Sequence, residues 1–141
     1  MTSVLLDTCA VIWLANGNPL HHDSVASIVR AGLSGGIFVS PASAWEIGLL
    51  AKPRSGRGAS VQFKPAPKTW FARFAAGPGI RLADLTPNIA IDASWLPGDL
   101  HGDPGDRMII ATARHLRIPI VTRDSKIIDY AAAGHVEVIA C

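Results

Sequence analysis

Four carboxylates are placed where they could act together. Asp7 ends the apolar run Val4-Leu5-Leu6, and Glu46 follows Trp45 in the stretch after Ile37-Phe38-Val39. Asp106 lies in a segment opened by Asp103-Pro104, and Asp124 comes just after Ile118-Pro119-Ile120-Val121. In an open parallel sheet, the carboxyl ends of the strands and the helix starts that follow them share one edge, and ligands bind in the crevice there. Four separate segments would then aim acids at one place. Carboxylates gathered without a counter-ion raise one another's pKa and destabilise the fold. A divalent cation is the simplest group that makes such a cluster favourable. The candidate donors are all oxygens. No Cys-x-x-Cys and no histidine pair at helical i, i+4 spacing is present, which argues against zinc. Hard oxygen ligands suit Mg²⁺ or Mn²⁺. Such ions bind phosphate, activate water and stabilise charge in an in-line displacement.

Each acid also has an ordinary structural role open to it. Asp7 can cap a helix starting near Thr8. Ser43-Ala44-Trp45-Glu46 has capping-box spacing. Ser40-Pro41 fits N-cap and N1 better, however, and that sets Glu46 in the second turn, too deep to cap. A glutamate between Trp45 and Ile47 on a mostly apolar helix then points to a site. Asp103 is a good N-cap, and capping is its stronger reading, with a place beside the metal ligands as the other. Asp106 at N3 meets the helix dipole favourably, whether or not it does anything else. Asp124 either caps a short helix from Ser125 or joins Thr122 in holding a ligand or a water, with Arg123 contacting phosphate.

The elements that must position these residues alternate along the chain. Ser3–Leu6 reads as a buried strand and Thr8–Ala15 as a helix ended by Asn16-Gly17 and Pro19. Asp23 is expected to cap a helix carrying Val25, Ile28, Val29 and Leu33 on one face, broken by Gly35-Gly36. A second strand covers residues 37–39, and a helix runs from Pro41 to about residue 51. Residues 53–67 read as a loop. A basic amphipathic helix (68–76), a strand (80–85), a helix from Pro87 to about residue 95 and a loop (97–102) follow. Then come the longest helix (to Leu116), a strand (118–121), a helix (Ser125–Ala132) and a last strand (136–139). This βα alternation predicts an α/β chain with a mainly parallel sheet covered on both faces.

The 141 residues match one domain, 1–141, large enough to bury a core of its own. With 49% apolar and 17% charged residues the chain is not composed like a disordered one. No run approaches the roughly 20 apolar residues of a membrane span. Met1-Thr2-Ser3 is not a signal-peptide start, so a cytoplasmic location is expected. Two cysteines, Cys9 and Cys141, give no disulfide framework. Net charge is only +2, but no acid occurs between Glu46 and Asp84, an interval holding Lys52, Arg54, Arg57, Lys64, Lys68, Arg73 and Arg81. That stretch is either a solvated face or the approach of a polyanion to a metal.

At these residues the chain resembles PIN-domain ribonucleases, most closely the VapC-type toxins of toxin–antitoxin pairs. The likeness rests on Leu5-Leu6-Asp7-Thr8, on Val39-Ser40-Pro41-Ala42-Ser43-Ala44-Trp45-Glu46-Ile47, on the run from His101 to Ala113 and on Val121-Thr122-Arg123-Asp124. Each piece is modest, and their order and spacing together are specific. The resemblance implies a three-layer α/β/α sandwich and an acidic pocket in which Asp7, Glu46, Asp106 and Asp124 hold Mg²⁺ or Mn²⁺ and carry catalysis. It sets Thr8 and Thr122 beside the pocket as hydroxyls and Asp103 nearby. Thr8, Thr122, Arg107 and Arg123 are expected to contact substrate. It further implies RNA as substrate, 5′-phosphate and 3′-hydroxyl products, a small cognate antitoxin and a homodimer. One departure is Gly105, where this group commonly has an aromatic residue. A looser helix start or a wider pocket mouth is the expected consequence.

Other classes fit less well. A phosphatase or dehalogenase with Asp7 as covalent nucleophile would have a second Asp two positions on, where this chain has Cys9. A dinucleotide-binding dehydrogenase would show G-x-G-x-x-G after the first strand. A catalytically silent RNA- or partner-binding domain would have a broken acid set, whereas all four acids are present.

Overall fold

The computed structural model describes residues 2–54, 56, 58–59 and 61–141; of the basic residues noted above, Arg57 lies outside them. The chain forms β1 (Ser3–Leu6), α1 (Thr8–Ala15), α2 (His22–Gly32), β2 (Gly36–Val39), α3 (Pro41–Ala51), α4 (Pro67–Ala75) and β3 (Ile80–Leu82). It continues with α5 (Pro87–Ser94), α6 (Pro104–Leu116), β4 (Ile120–Thr122), α7 (Ser125–Ala132) and β5 (Val138–Ala140). The five strands lie in the order β3-β2-β1-β4-β5, and every pairing is parallel.

Strand alternation sorts the apolar residues onto two faces. Val4, Leu6, Ile37, Val39 and Val121 pack with Val11, Ile28, Ala31 and Ile47, which come from α1, α2 and α3. Leu5 and Ile120 point the other way and pack with Ile109, Ile110 and Ala113 of α6 and Ile127 and Tyr130 of α7. The expected α/β/α sandwich is therefore present, with helices on both faces of the sheet. A smaller cluster of Ile89, Ala93 and Ala111 fixes α5 against α6. Phe63 is the buried anchor of the 53–67 segment, edge-on to Trp70 of α4 with ring centroids 4.9 Å apart.

Several helix starts follow from local chemistry. Ser40, Thr86 and Asp103 each accept a hydrogen bond from the first turn, with proline at the following position. α2 departs from expectation. His21, not Asp23, is its N-cap, because the His21 carbonyl accepts from Ser24 and Val25 and its ring Nδ1 accepts from the Asp23 N–H. Asp23 sits inside the first turn, where its charge meets the helix dipole. The third strand ends at Leu82, and the last strand begins at Val138, both later or shorter than the apolar pattern suggested. Among the described residues no helix is long and apolar enough to cross a membrane.

The sheet order turns at β1. From there the chain passes to β2 on one side, and β4 is inserted later on the other. The crevice of a parallel α/β sheet forms where connections diverge in this way. Asp7 at the end of β1 and Thr122 at the end of β4 flank that point.

Candidate active site

Asp7 is almost wholly buried, with 5% of its surface exposed. One carboxylate oxygen accepts the Ala10 N–H at 2.8 Å, so the residue does cap α1. The other accepts the Thr122 hydroxyl at 2.5 Å, across the β1–β4 junction. Thr122 in turn accepts the Asp124 N–H at 3.0 Å. Asp124 caps α7 through Lys126 N–H at 2.8 Å and still lines the cleft. Capping and membership of the site are thus compatible for both residues.

The opposite wall comes from α1, α3 and α6. The Thr8 hydroxyl donates to Glu46 Oε1 at 2.6 Å and lies 3.1 Å from Ser43 Oγ. Asp106, at N3 of α6, gives its N–H to Asp103 at 3.0 Å, and its own Oδ2 is 2.8 Å from His101 Nε2. Glu46, Asp103 and Asp106 each present an oxygen within 4.8 Å of the other two. The cleft they border holds about 410 Å³ and is also lined by Asp7, Asp124, Thr8, Cys9, Trp13 and Arg123. The four acids singled out in the sequence therefore share one cleft. Asp103 caps α6 as expected, and it also stands in the tight group with Glu46 and Asp106.

The electrostatics are those of a site short of positive charge. Burial pushes the Asp7 carboxyl up to about 6, against the hydrogen bonds from Thr122 and Ala10, and the charges of Asp106 and Asp124 push it further. Burial also raises Glu46 and Asp106, with other carboxylates adding to it. Cys9 is raised to about 11, first by burial, and stays a thiol at neutral pH. Among the described residues the one basic side chain within hydrogen-bond distance of these acids is His101, its Nε2 2.8 Å from Asp106 Oδ2. An all-oxygen group with little compensating charge fits a hard divalent cation. Glu46, Asp103 and Asp106 are the residues spaced to hold one.

The two arginines differ. Arg123 lies on the rim, its guanidinium 4.1 Å from the Trp13 ring centre and its Nε 2.8 Å from the Cys141 carbonyl. Arg107, expected to contact substrate, does not line the cleft. Its guanidinium donates to the carbonyls of Ala93, Ser94, Leu100 and His101, so it ties the end of α5 and the loop after it to α6. Adjacency to an acid on a helix says little about where the neighbouring side chain points, since consecutive residues face about 100° apart.

Sequence reasoning passed over His101, Ser43 and Trp13. His101 sits in a loop without periodicity, and only its place in the motif ahead of Asp106 could have marked it. Its Nδ1 is buried without a hydrogen-bond partner among the described residues.

The PIN domain family model matches residues 4–133. Ribonuclease VapC22 of Mycobacterium tuberculosis is 30% identical over 128 residues, covering 90% of this chain and 91% of that protein. A chain of the DNA-bound VapBC2 complex of Rickettsia felis superposes with a TM-score of 0.65 at 13% identity, covering 98% of each chain. A chain of the DNA-bound VapBC complex of Salmonella typhimurium gives 0.64 at 18% identity, over 99% of this chain and 98% of that one. Mycobacterium tuberculosis VapC20, a Sarcin-Ricin loop cleaving toxin, gives 0.54 at 22% identity, over 96% and 98%. At such identities the superpositions speak for the fold. The family match covers the segments that carry Asp7, Glu46, Asp106 and Asp124, and the chain belongs to the PIN domain family, among its VapC-type members.

Proposed function

We propose that the protein is a Mg²⁺- or Mn²⁺-dependent endoribonuclease and the toxin of a toxin–antitoxin pair. The observation that carries this reading is the group of Glu46, Asp103 and Asp106, oxygens within 4.8 Å of one another in a cleft shared with Asp7 and Asp124. The VapC22 relative is named a ribonuclease, and the superposed structures include toxin–antitoxin complexes.

Glu46, Asp103 and Asp106 would hold the cation. When bound, it supplies charge to a phosphate oxygen and lowers the pKa of a water. Thr8 fixes the Glu46 carboxylate through Oε1, and His101 fixes that of Asp106 through Oδ2. Asp7 is held by both its oxygens and adds negative charge at the floor of the cleft. Asp124 faces the cleft from the β4 side. Arg123, its guanidinium over the Trp13 ring, is placed to contact a backbone phosphate at the rim. The products carry a 5′-phosphate and a 3′-hydroxyl. A small antitoxin blocks the cleft, the toxin pairs with a second copy, and both act in the cytoplasm.

The phosphatase reading is weakened by the same geometry. A nucleophilic Asp7 would need a free, exposed oxygen, and both of its oxygens are engaged in a buried setting. A silent binding domain has no use for a desolvated carboxylate group that destabilises the fold. The test is cleavage of single-stranded or looped RNA in Mg²⁺, Mn²⁺, Zn²⁺ and EDTA, with the ends of the products identified. Cleavage only with Mg²⁺ or Mn²⁺ supports the proposal. Full activity in EDTA, or with Zn²⁺ alone, contradicts it. Binding of RNA without cleavage under every condition selects the silent domain, and a trapped phosphoryl-Asp7 selects the phosphatase.

A further inference from the structure

We propose that Gly105 is a positioning residue for Glu46. The lack of a side chain at this helix position lets the glutamate carboxylate close against the first turn of α6 and join Asp103 and Asp106. The inference rests on the reading of these acids as cation ligands.

Gly105 is buried at the second position of α6. It is not among the glycines with positive φ, so the backbone does not require glycine here. Space does. A Cβ built on Gly105 would lie 2.6 Å from Glu46 Cδ, 2.7 Å from its Oε1 and 3.0 Å from its Cγ. These distances are well inside contact range, and the three nearest atoms all belong to the Glu46 side chain. The volume that glycine leaves is therefore occupied by the glutamate.

The nature of the obstructing atoms decides what a substitution does. They are the outer part of a flexible side chain, so a methyl group at residue 105 moves Glu46 rather than the helix. Moving it breaks the 2.6 Å bond from the Thr8 hydroxyl and draws the carboxylate away from Asp103 and Asp106. The fold itself is not strained, because alanine is a better helix residue than glycine. Gly105→Ala is thus expected to separate cation binding from stability.

The experiment measures Mn²⁺ affinity by calorimetry on protein freed of metal, and the thermal midpoint of the same samples in EDTA. It uses the parent, Gly105→Ala, Glu46→Ala and the double variant. Gly105→Ala should bind Mn²⁺ about tenfold or more weakly, as loss of ligand positioning commonly does. Its midpoint should be unchanged or higher. Glu46→Ala should also bind weakly, and adding Gly105→Ala to it should change nothing more. If Glu46→Ala binds Mn²⁺ like the parent, the assignment of Glu46 as a ligand fails. If Glu46→Ala binds weakly but Gly105→Ala binds like the parent, the positioning role fails while the ligand assignment stands. An equal loss from Gly105→Ala with and without Glu46, or a midpoint lowered by several degrees, overturns the proposal as well.

Discussion

Replacing Asp7 by asparagine should stabilise the metal-free protein at neutral pH, even though Asp7 caps a helix. The Asp7 carboxyl is raised from the ordinary 3.8 to about 6, chiefly by burial. The folded state then holds this proton more tightly than the unfolded chain does. Its contribution to stability is full below the unfolded value and is lost as pH rises through about 6. At about pH 8 the ionised residue therefore costs roughly 3 kcal/mol, at about 1.4 kcal/mol per pH unit. Asparagine avoids that cost and keeps one acceptor for the Ala10 N–H. Its weaker pairing with Thr122 gives back roughly 1 kcal/mol. The net gain is roughly 2 kcal/mol, or about 5 °C in midpoint for a domain of this size. The assay is denaturant unfolding in EDTA from about pH 4 to about pH 8. The parent should lose stability across that range and Asp7→Asn should lose distinctly less. Saturating Mg²⁺ should raise the parent more than the variant. A parent stability flat in pH, or a variant less stable than the parent at the alkaline end, would refute the reasoning.

Other outcomes separate the roles of neighbouring residues. Asp106→Asn should abolish cleavage with the fold intact. Asp103→Asn should keep its cap, since Asn and Asp rank together there, yet weaken cation binding and cleavage; Asp103→Ala should in addition cost about 1 kcal/mol in unfolding assays. Arg107→Ala should destabilise by roughly 2 kcal/mol, because it removes charge-assisted bonds to four carbonyls, while RNA affinity measured by filter binding changes little. Neutralising Lys52, Arg54 and Arg57 together should weaken RNA binding and flatten its salt dependence, with turnover at saturating RNA nearly unchanged.

Much of the scaffold was legible because its signals are local. Ser40-Pro41, Thr86-Pro87 and Asp103-Pro104 mark helix starts by chemistry within one turn, and short continuous apolar runs mark β1 and β2 almost to the residue. The cap of α2 was misplaced because His21 and Asp23 are both able to cap and only the tertiary path chooses between them. Strand ends were looser, since pairing partners set them: Leu82 ends β3 opposite Val39, and Ala140 pairs with Thr122. At the site, the residue types were readable, whereas the strand order that gathers them, β3-β2-β1-β4-β5, is set by pairing between distant segments and has no local signal. The contacts between distant segments were not readable at all. Thr8 with Ser43 and Glu46, and Gly105 against Glu46, join residues that nothing in the local pattern connects. Asp103 was read as a cap because that role is visible in sequence, whereas its nearness to Glu46 depends on how α3 meets α6.

The most direct test of the account asks whether a cation held by the carboxylate cluster touches the phosphate being cut. An RNA substrate is made with sulfur replacing each non-bridging oxygen in turn at the mapped cleavage position. Sulfur is a soft donor, poorly matched to Mg²⁺ and better tolerated by Mn²⁺. The account predicts that one of the two diastereomers is cut much more slowly in Mg²⁺ and recovers in Mn²⁺, while Asp106→Asn cuts neither under either ion. Equal cleavage of both diastereomers in Mg²⁺, together with near-normal activity of Asp106→Asn, would contradict it.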